Sequence, residues 1–341
     1  MRSDLVSFYR APGSHEPLVA KNTVLEGDEI VSGDLIAPDG TGFPIVDGLP
    51  DFLWPRDLGN RERETINFYD GRADVYDRYL PLTFGTFGEK ESDVREAMAD
   101  RLELKPGMTV LEIGAGTGRD SEVLARRLGG EGRLFCQDIV RSMLSRNRTR
   151  LDAAGMRAEF SLAGATHLPF PDRCFDAVFQ FGGVGEFPDV AAFFREVVRV
   201  TRVGGRVVVG DESMPPWLRN TTFARVLTLT NAQFNAPLPL EHVPVEARQV
   251  NLRWIIGGTF YLLDFTVGEG EPPADFDFQI PGVRGGTHRT RYFGQLEGVT
   301  PEAKMLAMRA REKLGVSLHD WLDDVVRREA TRVLKDGGED V

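Results

Sequence analysis

One stretch, VLEIGAGTGRD at 110–120, sets Gly114, Gly116 and Gly118 at every second position and places an acid, Glu112, two residues before the first of them. Glycines in the turn between a strand and a helix let the backbone approach a ligand and take positive φ. The free amides of the helix start would favour a carboxylate or phosphate. A second acid, Asp138, ends the next apolar run, GRLFCQD, where a carboxylate can accept hydrogen bonds from both hydroxyls of a ribose. Dinucleotide enzymes also use a glycine loop, but G-x-G-x-x-G spacing counted from Gly114 puts the third glycine at 119, which is Arg. The spacing therefore opposes a nicotinamide oxidoreductase.

Ligands of open α/β sheets bind beyond the carboxyl ends of the strands, so acids there are the next candidates. Glu186 follows the run FDAVFQF, Asp211 ends the run GRVVVGD and Glu212 comes next. Glu186 reads equally as a base or as a solvated carboxylate at a helix start. Asp211 reads as a substrate-binding or water-orienting acid, or as structural. A later segment, RGGTHRTRY, gathers Arg284, His288, Arg289, Arg291 and Tyr292 in an acidic protein. Arginine forks suit an anionic substrate, with His288 beside them as a further catalytic candidate. Salt bridges to the acidic surface, or a contact in a homodimer, are the other readings.

The elements that must position these groups follow from the hydrophobic pattern. Between 108 and 211 the runs MTVLEIG, GRLFCQD, RAEFSLA, FDAVFQF and GRVVVGD alternate with helical stretches, which predicts a doubly wound, mostly parallel sheet. The clearest helix starts after Asp189 and is expected to stop at Gly204-Gly205. WLRNTTFARVLTLTNAQF reads as helical, and VNLRWIIGGTFYLLDFTV as a hairpin about Gly257-Gly258. Four regions are expected: a small β module at 1–55, a helical cap at 56–104, the core at 105–270 and a loop with helices at 271–341.

Composition narrows the function classes. The 341 residues carry a formal net charge of -11, so no overall attraction to nucleic acid is expected. No run approaches the roughly 20 apolar residues that span a bilayer, and MRSDLVSFYRAPG lacks an apolar secretory stretch. The expectation is a cytoplasmic protein without a membrane span. Cys136 and Cys174, with no C-x-x-C pattern, are read as buried, inert thiols, and no metal site is expected.

E-x-G-x-G-x-G followed by an acid at the next strand end resembles the class I methyltransferases. CQDIVRSML and HLPFPDRCFDAV narrow the resemblance to the branch of ubiquinone and menaquinone C-methyltransferases, over about 66–211. The resemblance implies a Rossmann-like seven-stranded sheet, S-adenosyl-L-methionine as cofactor with S-adenosyl-L-homocysteine as product, and methyl transfer to oxygen or carbon of a small, possibly anionic metabolite. The alternative is a non-catalytic cofactor-binding or assembly protein. Gly114, Ala115 and Gly116 would lie against the methionine part, Asp138 would hold the ribose and Ile139 would flank the adenine. Glu112, Gly118, Met143 and Phe181 complete the expected cofactor site, with Tyr69 and Tyr76 as its cap. Where the branch has G-D-A, this chain has Ala163, Gly164 and Ala165, so the adenine contact is left to backbone carbonyls, water or Thr166. FPIVDGLPDFL resembles the end of a zinc-ribbon-like module whose cysteine knuckles here read APGS and APDG, implying the shape without the metal.

Overall fold

Tight turns break the first 50 residues into short extended pieces, and four strands form between them: β1 (Val19–Glu26), β2 (Glu29–Ile36), β3 (Gly42–Val46) and β4 (Leu49–Pro50). They pair antiparallel in that order. The computed structural model describes residues 1–281, 286–293 and 299–336. This small sheet does not close a core alone. Tyr9, Phe43 and Phe52, fully buried, share one apolar cluster with Phe135, Phe170 and Phe175 from further along the chain. Phe8 stacks on Phe135 with ring centres 5.0 Å apart, and Tyr9 meets Phe52 at 4.9 Å. Phe52 N–H donates to the Leu162 carbonyl at 2.7 Å and Arg10 N–H to that of Pro169 at 3.0 Å. Ala11 and Ala37, which open the two knuckles, are buried. Among the described residues no group of acidic, His or Cys side chains is arranged to hold a metal.

Three helices follow: α1 (Asn60–Asp70), α2 (Ala73–Gly85) and α3 (Glu91–Asp100). The first two are separated where the chain leaves helical geometry at Arg72. The main sheet comprises β5 (Thr109–Ile113), β6 (Arg133–Asp138), β7 (Glu159–Leu162), β8 (Phe175–Phe181), β9 (Thr201–Glu212), β10 (Ala247–Ile255) and β11 (Phe260–Val267). Its order is β10-β11-β9-β8-β5-β6-β7, with β5 to β9 parallel to one another and β11 antiparallel to both β9 and β10. The central strands are nearly all buried, since helices cover both faces. The connecting helices are α4 (Arg119–Leu128), α5 (Arg141–Ala153) and α6 (Val190–Val200). The fold is the doubly wound seven-stranded sheet of class I methyltransferases, with a separate four-stranded N-terminal sheet and C-terminal helices.

Two boundaries differ from the sequence expectation. The helix that starts after Asp189 stops at Val200, where Thr201 turns extended, its hydroxyl donates to the Val197 carbonyl at 2.6 Å, and β9 starts at once opposite Phe175. Gly204 and Gly205 lie inside that strand. In WLRNTTFARVLTLTNAQF the α-helix is short, α7 (Thr222–Thr228). Thr228 and Thr230 turn their hydroxyls back onto the carbonyls of Ala224 and Leu227, a local bonding that competes with helix extension. Cys136 is buried as expected, whereas Cys174 is only half-buried.

Packing divides the chain into Met1–Pro272 and Pro273–Val341. The second unit contains α8 (His288–Phe293), α9 (Pro301–Leu314) and α10 (Leu318–Asp336). Thr300 caps α9 by accepting from Ala303 N–H, and Ser317 caps α10 by accepting from Asp320 N–H at 3.0 Å.

Because the N-terminal sheet completes its core with Phe135, Phe135→Ala is expected to cost about 3–5 kcal/mol. Urea unfolding followed by fluorescence and by far-UV dichroism should show one transition, lowered in midpoint. A small sheet that melts separately from the main domain would contradict this packing.

Candidate functional site

Between β5 and α4 the chain takes positive φ at Gly114 (68°), Gly116 (51°) and Gly118 (87°). These glycines serve two ends. A Cβ on Gly114 would meet nothing within 4 Å, and one on Gly116 only the Gly114 carbonyl at 4.0 Å, so both leave open space above the loop. A Cβ on Gly118 would lie 2.4 Å from Asn147 Oδ1 and 3.0 Å from its Cα. Gly118 therefore lets α4 start against α5, and it is absent from the cavity walls described below. Glu112 is also set apart from them. It is buried, and accepts from Ser121 Oγ, which in turn accepts from Asn147 Nδ2 at 2.8 Å. Its carboxyl ties α4 to β5 beneath the loop.

Asp138, at the end of β6, accepts from Gly116 N–H at 2.9 Å and Val140 N–H at 2.8 Å. Burial raises its pKa, and the amide hydrogen bonds pull the other way. It lines a narrow cavity of about 120 Å³ with Ile139, Met143, Gly164, Ala165, Gly114 and Gly116. Tyr76 and Phe181 line it too, so most of the expected cofactor residues converge here. Thr166 does not; its hydroxyl shares a hydrogen bond with His167 Nδ1 at 3.1 Å.

A larger cavity of about 770 Å³ shares Tyr69, Tyr76, Gly114, Gly116, Phe181 and Glu186 with the narrow one and adds Ala115 and Asp211. Tyr69 and Tyr76 meet edge to face at 5.9 Å. Glu186 accepts from Thr65 Oγ1 at 3.4 Å and Gln233 Nε2 at 3.3 Å. Asp211 is buried and accepts from the amides of Gly185 and Glu212. Burial, then the hydrogen bond and charge of Glu212, raise its pKa well above the carboxylate range. Glu212 accepts from Asn231 at 3.3 Å. The cavity's arginines stand elsewhere: Arg95 is held by Glu91 and Asp120, Arg119 by Asp77 and Glu91, and Arg72 lies over the Phe68 ring. Among the described residues no cation pairs with Glu186, Asp211 or Glu212.

Residues lining both cavities belong to Met1–Pro272. His288, Arg289, Arg291 and Tyr292 belong to the second unit, where Arg289 pairs with Asp277 at 3.0 Å, and Arg284 lies outside the described residues. Asp77 is a residue that sequence reasoning missed. From α2 it accepts from Thr117 Oγ1 at 2.6 Å, Arg119 Nε at 2.9 Å and Arg150 Nη2 at 2.8 Å. Burial pushes its carboxyl up, but these donors and charges outweigh that and hold it below its ordinary value. Its partners lie 40 to 73 positions away, so no local motif marks it.

Burial, with Asp120 near, pushes the Glu112 carboxyl up to about 8. The native state then keeps a proton that the unfolded chain releases at the ordinary, lower value. This group's contribution to stability is full below that lower value and is lost as pH rises through about 8. Between about pH 5.5 and about pH 8.5 the urea midpoint of the wild type should fall more than that of Glu112→Gln. Parallel declines would contradict the buried protonated carboxyl.

A family model described as a methyltransferase domain matches residues 110–205. Relatives include methyltransferase GfsG of Streptomyces halstedii, 32% identical over 38% of this chain and 47% of its own length. The ubiquinone/menaquinone biosynthesis C-methyltransferase UbiE of Xanthomonas campestris pv. campestris is 39% identical over 34% of this chain and 48% of its own. The demethylmenaquinone methyltransferase of Thermobifida fusca is 34% identical over 47% of this chain and 66% of its own. The chain thus spans about half the length of the first two relatives. In the described residues no helix is long and apolar enough to cross a membrane. Residues 110–205 are thus similar to a methyltransferase domain, and they lie in a sheet with the class I methyltransferase strand order.

Proposed function

We propose that this protein transfers a methyl group from S-adenosyl-L-methionine to an oxygen or carbon of a small molecule and releases S-adenosyl-L-homocysteine. One observation carries the reading: a narrow cavity beside Asp138 and the glycine loop shares its walls with a chamber large enough for an acceptor. The residues fit the cofactor, because Gly114 and Gly116 leave space for it and Asp138 keeps lone pairs for ribose hydroxyls beside its two amide bonds. When bound, the cofactor supplies an electrophilic methyl carbon on a sulfonium.

The chain's own task is then to align the acceptor and exclude water. Tyr69, Tyr76 and Phe181 border both cavities and would shield the junction. Glu186 borders both as well and is the base in this reading, since it stands at the junction and its hydrogen-bond partners, Thr65 and Gln233, are neutral. Asp211, held toward its neutral form by burial, would donate a hydrogen bond to the acceptor. The acidic wall of Glu186 and Glu212 argues against the anionic acceptor drawn from the arginine-rich segment, at least at the reacting end. A neutral hydroxyl or an activated carbon suits it better, in keeping with the C-methylation named for the Xanthomonas campestris relative.

Calorimetry with S-adenosylmethionine, S-adenosylhomocysteine and NADH tests this. The intact protein should bind the first two and not NADH, and Asp138→Ala should weaken binding about tenfold or more, the loss expected for hydrogen bonds to a charged acceptor. No binding by the intact protein would overturn the proposal. Binding without methyl transfer to any acceptor in a screen of phenols, enols and quinols would favour a non-catalytic cofactor-binding protein.

A further inference from the structure

The narrow cavity contains an acid that belongs neither to the glycine loop nor to a strand end. Glu62, in the first turn of α1, is only 7% exposed and lines this cavity. Its Oε2 accepts from Gly59 N–H at 2.8 Å and so caps the helix. Its Oε1 has no hydrogen-bond partner among the described residues and faces the opposite wall, 3.8 Å from where a Cβ on Gly164 would stand. That wall, Ala163, Gly164 and Ala165, carries no polar side chain. That oxygen opens onto the cavity, and the free space in front of it forms a slot bordered by these small residues and Ile139. Of the cavity's other acids, Asp138 is already turned to the loop and to Val140, and Glu186 accepts from Thr65 and Gln233.

We infer that Glu62 reads the base of the cofactor: its free oxygen accepts a hydrogen bond from the exocyclic amino group of adenine, with the ring in the slot beside Gly164. This deepens the reading above, on which it rests. It makes α1 part of the cofactor site. The helix that Glu62 caps and the ring that it recognises would be held by the two oxygens of one carboxylate. A 6-oxo ring would instead present an acceptor to a carboxylate and be repelled.

The test compares S-adenosylhomocysteine with S-inosylhomocysteine, which differ at that ring position. The wild type should bind the adenine form at least about tenfold more tightly, the scale of one charge-assisted hydrogen bond. In Glu62→Gln the amide oxygen keeps the cap and the amide nitrogen faces the slot, so the preference should vanish or invert. Gly164→Asp added to Glu62→Gln places a carboxylate on the opposite wall, where a Cβ stands in ordinary van der Waals contact, 3.8 Å from the position of Glu62 Oε1, and should restore the preference. A ratio unchanged in Glu62→Gln, whether or not both affinities fall together, would reduce Glu62 to a helix cap and overturn the inference while leaving the cofactor reading intact. Failure of the wild type to bind either compound would overturn both.

Discussion

Two backbone amides of the glycine loop are pinned to the end of the neighbouring strand. Ala115 N–H donates to the Gln137 carbonyl and Gly116 N–H to the Asp138 carboxylate, each at 2.9 Å. The pinning holds the loop in its left-handed turns, which glycine alone adopts at little cost. It also aims Asp138 at the loop and fixes the width of the narrow cavity. Glu112, Ser121 and Asn147 brace the same loop from below. Floor, rim and recognition carboxylate are therefore one hydrogen-bonded unit.

The cap depends on that unit in turn. Asp77 gathers Thr117, Arg119 and Arg150 onto α2, so the helix carrying Tyr76 is tied at once to the loop, to α4 and to α5. Arg95, buried between Glu91 and Asp120, repeats the tie from α3. These ion pairs use up the arginines near the loop and leave the far wall of the large cavity acidic. The electrostatic character of the acceptor side thus follows from how the cap is fastened.

The sheet was legible because buried parallel strands read as compact apolar runs, and the loop because its glycines recur at fixed spacing. What escaped was what depends on distant partners. Gly118 looks like its two neighbours in sequence, and only the Asn147 side chain across from it gives it a packing role. Glu112 has the right spacing for a ligand residue, yet Ser121 claims it. Asp77 and Glu62 sit in helices without a motif, and their meaning comes from residues 40 or more positions away. The stop at Val200 was misplaced because Gly204-Gly205 is a stronger local signal than the β-branched Thr201 that begins the strand.

The central claim is that the narrow cavity takes the adenosyl group and the large one the acceptor. A crystal structure with S-adenosylhomocysteine bound tests it most directly. The account expects the ribose hydroxyls on Asp138, the adenine between Ile139 and Ala163–Ala165, and the sulfur at the junction lined by Gly114, Phe181 and Glu186. A ribose seated away from Asp138, or an adenine in the large cavity against Asp211, would contradict it.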